Sequence, residues 1–307
     1  MNVYHKSLKL MGNRFQLSAA SETEEHANEA IDAGITEIQR IEKLLTTFNE
    51  DSETALINRN AGVKPVRIAK ETFDLIQRSV RISEITQGAF DLTYGSVDKR
   101  LWNFDATMKK LPDAATASKM VRLINYRNIL MDRTKHSVML KEKGMRIGFG
   151  GIGKGYAAER AKLIMKEKGI RSGIVNASGD MTTWGLQPDG KPWTIGIADP
   201  NAKDKIFSYL NVTDMAVATS GNYEKFIMVG GQKYSHTINP KTGLPIRGIK
   251  SVTIISPNAE IADAMATPVM IMGIRAGLDM INQINNLEAI VVDDFDHVFT
   301  SKNIHLN

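Results

Sequence analysis

Two short segments, far apart in the chain, hold residues whose types and spacing can do chemistry. Gly148 to Arg160 reads GFGGIGKGYAAER, in which glycines and one lysine run straight into a helix start. Such a turn lets backbone N–H groups and an ammonium approach phosphate oxygens closely. Ala262 to Thr267 reads ADAMAT, with Asp263 and Thr267 four residues apart. On a helix that spacing places a carboxylate and a hydroxyl on one face. Oxygen donors of this kind suit a hard cation such as Mg²⁺. A phosphate cradle joined to a hard-metal site points to nucleotide chemistry at a phosphate. Lys154 opposes the dipole of the helix it opens, and a bound phosphate is the expected compensation. Each feature taken alone also has an ordinary reading. Lys154 would be a solvated lysine, and Asp263 and Thr267 would decorate an amphipathic helix.

The elements that must position these residues follow from periodicity. Apolar and polar residues alternate around Leu8, Leu10, Phe15 and Leu17, which reads as one or two strands. Ser21 and Glu24 have the spacing of a capping box. Behind them Ala27, Ala30, Ile31, Ile35, Ile38, Ile41, Leu44 and Leu45 recur at helical spacing. The pattern predicts a long amphipathic helix to about Phe48, which periodicity makes its last core residue. A polar loop over NEDSET follows, then a helix from Lys70 to Thr86. The stretch from Asp105 to Ala117 reads as loop. Strands are expected near Ile129–Met131 and Val138–Leu140, and a helix from Lys154 to Gly169. Several short strands then run from Ile174 to Ser256, with turns at PDG and GG. Helices over Ala259–Met272 and Ala276–Ile284 precede strands around Ile290 and Val298. This order is neither strict β-α alternation nor all-β. It predicts an α+β fold, a single two-lobed unit over residues 1–307 with mostly antiparallel sheets flanked by helices.

Composition narrows the function. The chain has 307 residues and a formal net charge of +5, with lysines and arginines interleaved among acidic residues. No arginine-rich arm or basic-aromatic stripe favours nucleic acid. The mild excess of positive charge suits an anionic nucleotide. There is no cysteine, which removes disulfides, thiolate catalysis and Cys-based metal sites. The N-terminus lacks an apolar signal region, and no apolar run has membrane-spanning length. The expected location is therefore cytoplasmic for the chain as it stands, or periplasmic or lipoprotein-anchored if a leader was removed.

With these segments in place the chain resembles the ApbE family of FAD:protein FMN transferases. The resemblance runs from Met11 to about Val292 and rests on motifs in the same order. MG at Met11 resembles the family's MGT, with Asn13 in place of the threonine. FNEDSE from Phe48 is similar to an aromatic-x-x-D-S-E loop, and GAFDLT from Gly88 to GAFDxT. GGIGKGYA from Gly150 is similar to GGIAKGYA, NASGD from Asn176 to NxGGD, and ATSGNYEK from Ala218 to ATSGxYER. SHTINPKTGLP from Ser235 resembles HxIDPRTGxP, and ADAMAT resembles ADALAT. Three positions depart from the pattern: Gly148 and Asn239 stand where Asp is usual, and Glu159 where Asp is frequent.

The resemblance implies Mg²⁺-dependent transfer of the FMN moiety of FAD to a Thr or Ser hydroxyl of a target flavoprotein, with release of AMP. The alternatives are an Mg²⁺-dependent FAD pyrophosphatase and a non-catalytic FAD-binding protein. It further implies that Gly151 (through its carbonyl), Asp263 and Thr267 hold the metal, with water at the position where Ala266 replaces a polar ligand. Lys154 would contact FAD and assist catalysis, and His236 would activate the acceptor hydroxyl. Met11, Phe48, Ala89, Phe90, Asp91, Gly148 and Ile238 would contact the flavin or adenosine. Met11 and Phe90 also read as core residues and Asp91 as a turn former. Asp180, Ser220 and Tyr223 read as supporting groups. The implied acceptors are flavin-carrying subunits of respiratory complexes, such as the sodium-pumping NADH:quinone oxidoreductase and Rnf-type complexes.

Overall fold

The opening alternation becomes a hairpin of β1 (Asn2–Leu10) and β2 (Asn13–Ser21), in register from Asn2–Ser21 to Leu10–Asn13. Its turn residues, Met11 and Gly12, have φ of 49° and 75°, the left-handed pair that matches strand twist. The structure is a computed structural model describing residues 1–102, 109–199, 202–222 and 226–304.

Next comes α1 (Glu24–Leu45), capped by Thr23, whose hydroxyl accepts the His26 N–H at 3.3 Å. The box expected at Ser21 is therefore displaced, because β2 runs through Ser21 and commits its backbone to the sheet. The helix also ends earlier than expected. Thr46 is extended at φ −62°, ψ 143°, and Phe48 is 97 % exposed rather than core. NEDSET is not all loop: the Ser52 hydroxyl accepts the Ala55 N–H at 3.0 Å and starts α2 (Glu53–Arg59). Then follow β3 (Val66–Arg67), α3 (Lys70–Ile85) and a 3₁₀ turn over Leu92–Ser96. Asp113 caps α4 (Ala114–Met120), so the predicted loop there is partly helix; residues 103–108 of that stretch lie outside the described residues.

The strands β4 (Ile129–Asp132) and β5 (Ser137–Leu140) form a small sheet in the order β3-β5-β4. After it comes α5 (Gly153–Glu167), stopped where Gly169 turns to φ 87°. The β-rich stretch holds β6 (Gly173–Ala177), β7 (Asp180–Trp184), β8 (Trp193–Asp199), β9 (Ala202–Val212) and β10 (Ala216–Gly221). It continues through β11 (Phe226–Val229), β12 (Gln232–Ser235) and β13 (Ile249–Ser256). The chain then runs through α6 (Ala259–Met272), α7 (Ile274–Ile281), β14 (Glu288–Asp293) and β15 (Val298–Thr300).

Eight strands form one sheet in the order β1-β2-β6-β7-β10-β13-β14-β15, every pairing antiparallel. The helices α1, α5 and α6 lie side by side against it. The period of a strand explains how both faces are covered. Ala216 and Ala218 of β10 join the large core under these helices. Val217 between them joins a second cluster with Ile195 and Ile197 of β8. All of β13 is buried as a result. The mixed architecture with antiparallel sheets is the α+β arrangement expected from the order of elements.

A very close approach lies between α5 and α6. A Cβ on Gly155 would sit 2.8 Å from the Asp263 Cβ and would also overlap the Ala259 carbonyl. Only glycine fits, so Gly155→Ala should cost about 1–3 kcal/mol of unfolding free energy. Chemical denaturation measures this, and an unchanged midpoint would show that the crossing yields easily.

Candidate active site

The site is built around the first turn of α5. Its approach is pinned at several points: Ile147 exchanges both backbone hydrogen bonds with the Asn58 amide, at 2.7 and 3.0 Å. The Gly148 N–H donates to the Leu92 carbonyl at 3.0 Å. Ile152, at the N-cap position, offers no side-chain acceptor. The missing cap comes from the neighbouring helix. Asp263 of α6 accepts the Gly155 N–H through Oδ2 at 3.0 Å, while its Oδ1 lies 3.6 Å from the Lys154 ammonium.

Lys154 also binds Asp180 through Oδ2. Asp180 arrives there because Ser178 and Gly179, at φ 57° and 101°, close the β6–β7 hairpin immediately before it. The Asn176 side chain steadies that turn by accepting the Gly179 N–H at 2.8 Å. Compensation for a lysine at a helix start is thus already present as two carboxylates, 3 % and 7 % exposed, rather than awaiting a phosphate. Two carboxylates and one ammonium leave one negative charge in excess. Thr267, one turn beyond Asp263, shares a hydrogen bond of 3.1 Å with the Ser220 hydroxyl of β10.

Three cavities meet at this point, and Gly148 lines all of them. One of about 420 Å³ is lined by Met11, Phe48 and Lys154. A second, of about 400 Å³, is lined by Ala89, Phe90, Asp91, Gly151, His236 and Thr267. A third, of about 760 Å³, is lined by Phe48, His236 and Ile238. The expected site residues therefore gather from separate elements around one glycine loop. Asp263 is behind Lys154 rather than on a cavity wall, and Ala266 is buried in the main core. Among the described residues no group of three or more His, Cys, Asp or Glu forms a metal cluster. Among the described residues the oxygens at hand include the carboxylates of Asp180 and Asp263, the Thr267 hydroxyl and backbone carbonyls.

Several assignments acquire a structural role. Asp91 is a turn former: it accepts the Thr93 N–H at 2.8 Å, the Thr93 hydroxyl at 2.6 Å and the Tyr126 N–H at 2.9 Å. Burial pushes its carboxyl above the ordinary value, against the pull of those hydrogen bonds. The Ile238 N–H is already donated to the Tyr94 hydroxyl at 3.1 Å, and burial raises that phenol. Asn239 holds its own turn, where its Oδ1 accepts the Lys241 N–H at 2.9 Å. Glu159 accepts the Ala259 N–H at 2.8 Å and the Thr182 hydroxyl at 2.8 Å, and pairs with Lys162 at 2.9 Å. Tyr223 lies outside the described residues. The pairing of Asp180 with Lys154 and the Tyr94 contact were not apparent from sequence. Asp180 sits in the NASGD segment and Tyr94 directly after GAFDLT, but nothing in their spacing names a distant partner.

Comparison with known proteins bears on the family and the fold. The sequence model of the ApbE family matches residues 11–291. An FAD:protein FMN transferase of Klebsiella pneumoniae is 30% identical over 292 residues, covering 94% of this chain and 89% of its own. One from Treponema pallidum is 28% identical over 278 residues, covering 86% and 76%. The crystal structure of the ApbE protein of Thermotoga maritima superposes with a TM-score of 0.87 at 29% identity, covering 98% of this chain and 97% of that one. The chain belongs to the ApbE family.

Two substitutions probe the cavity walls. Phe48→Ala should change unfolding free energy by less than about 0.5 kcal/mol, because an exposed ring contributes little to the fold. A loss above about 1 kcal/mol would return Phe48 to the core. A Cβ on Gly148 meets only the Thr47 methyl, at 4.0 Å. Gly148→Asp should therefore also leave stability within about 0.5 kcal/mol, read by thermal melting.

Proposed function

We propose that this ApbE-family chain transfers the FMN moiety of FAD to a threonine or serine hydroxyl of a target flavoprotein, with Mg²⁺ as cofactor and AMP as the released product. The observation that carries the reading is the Lys154–Asp180–Asp263 cluster at the start of α5, beside cavities that share the Gly148 wall. The names of the Klebsiella and Treponema relatives supply the reaction class.

The donor chemistry fits Mg²⁺. Asp263 keeps Oδ1 free of any backbone donor, and Thr267 and Gly151 line the same cavity. All three offer oxygen, which a hard cation requires, and the cluster has one negative charge to spare. Asp263, Thr267 and the Gly151 carbonyl would hold the ion. When bound, it would neutralise charge on the phosphate oxygens during transfer.

The chain's own residues account for the rest. Lys154 shares its ammonium between the carboxylates and the FAD diphosphate, drawing the anion to the helix start. Phe48 offers an exposed ring against which the flavin can stack. His236 opens onto two of the cavities and takes the proton of the acceptor hydroxyl at a ring nitrogen. The acceptor oxygen bonds to the FMN-side phosphorus as the bond from that phosphorus to the AMP-side oxygen breaks. Catalysis then rests on positioning and charge rather than on an enzyme-bound intermediate. The acceptor class is a flavin-carrying subunit of a respiratory complex.

Asp263→Ala should lower transfer at least about 100-fold. The assay combines FAD, Mg²⁺ and a threonine-containing acceptor peptide, and reads FMN addition by mass spectrometry. Undiminished transfer would remove the metal role from Asp263. AMP release without acceptor measures the competing hydrolysis, and a rate equal to that with acceptor would make the chain a pyrophosphatase.

A further inference from the structure

A fourth cavity, of about 650 Å³, lies beside the others and contains none of the residues assigned to FAD or metal. Its wall is strongly basic. Lys119 belongs to α4 and Arg122 follows it, while Lys143 and Arg146 lie between β5 and the glycine loop. Arg100 is the fifth cation, and among the described residues Asp98 is the sole acidic one on the wall. Asp98 is spent on Arg100, which it binds through both oxygens at 2.8 and 2.7 Å. Lys119, Arg122, Lys143 and Arg146 make no ion pair among the described residues. Like charges are thus gathered around a hollow where Asp98 is the one carboxylate among the described residues, an arrangement that favours a visiting anion.

The position of this hollow indicates which anion. Gly95, Val97, Asp98, Arg100 and Arg146 also line the third cavity of the active site, the one that reaches His236 and Phe48. The hollow and the cavity that reaches His236 therefore share a wall. The cations stand on exposed, flexible side chains spread along the wall, not converged on one point with buried polar groups. That pattern favours an extended acidic segment over a compact phosphate, because dispersed surface charges steer and register a chain.

We propose that this basic hollow docks an acidic segment of the acceptor protein, delivering the neighbouring hydroxyl to His236. The proposal rests on the transferase reading and adds the chemistry of the partner.

The test compares the parent with the triple variant Lys119→Glu, Arg122→Glu, Lys143→Glu. None of these residues lines the three active-site cavities. The probes are a short fluorescent peptide rich in Asp and Glu with one threonine, and its Asn/Gln counterpart. Anisotropy reads binding, equilibrium dialysis reads FAD affinity, and thermal melting checks the fold. The acidic peptide should bind the parent about tenfold more tightly than the neutral one. That preference should fade with added salt and vanish in the variant. FAD affinity and melting temperature should stay at the parent value. In turnover, the KM for the acidic peptide should rise about tenfold in the variant with kcat unchanged. Equal binding of both peptides by the parent, or a preference surviving in the variant, overturns the proposal. Inorganic phosphate or AMP displacing the peptide at concentrations below those of other anions also overturns it, by making the hollow a phosphate site. If the variant melts early, Lys119→Gln with Arg122→Gln replaces it, and a retained preference there counts against docking. Charge-dependent binding with no transfer at all would defeat the transferase reading while leaving the docking surface standing.

Discussion

Two carboxylates exchanged between neighbouring helices hold the site in place. Asp263 of α6 caps the start of α5 by accepting the Gly155 N–H, and Glu159 of α5 caps the start of α6 by accepting the Ala259 N–H. Each helix receives from the other the N-terminal anion that its own N-cap does not fully supply. Hydrogen bonds to charged acceptors contribute about 1.5–3 kcal/mol each. The exchange works only because Gly155 lets the two backbones meet. Glu159 extends the tie to β7 through Thr182, and Glu260 extends it to α3 through a two-pronged pair with Arg78 at 2.6 and 2.9 Å. Lys154 and Thr267 inherit their positions from this crossing.

The same contact sets the electrostatics. Asp263 is shared between the end of a helix and an ammonium, so one oxygen serves the fold while the other faces Lys154. Asp180 enters from the sheet through a tight hairpin and leaves the cluster with one negative charge over Lys154. Around it, the Gly148 wall divides the hollow into compartments without filling them. Gly148 itself contributes no carboxylate. Cluster charge therefore rests on Asp180 and Asp263.

Much of this was legible along the chain. The helix over Ala259–Met272 and the hairpin strands at Ile129 and Val138 were clear because their apolar period is strong and their ends are marked. The short helices α2 and α4 were not, since neither is long enough to show a period and each depends on one capping residue, Ser52 or Asp113. Phe48 was misplaced for a related reason. Periodicity continues past Leu45, but Thr46 turns out of the helix and leaves the ring in solvent. Among site residues, the glycines, Lys154, Asp263 and Thr267 could be singled out by type and spacing alone. The role of Asp91 could not be settled, because a turn former and a ligand contact look the same in one dimension.

The amino-acid sequence by itself determined the order of the longer elements, the antiparallel α+β class and the family, since these follow from local period and from motifs read in order. It also marked which segments hold chemically able side chains. Tertiary structure alone decided which of them meet: that Asp180 and Asp263 both face Lys154, that Glu159 and Asp263 trade helix caps, and that Ile238 spends its N–H on Tyr94. The reason is physical. Propensity and period act over a few residues, whereas a carboxylate finds its partner only after packing brings distant backbones within about 3 Å.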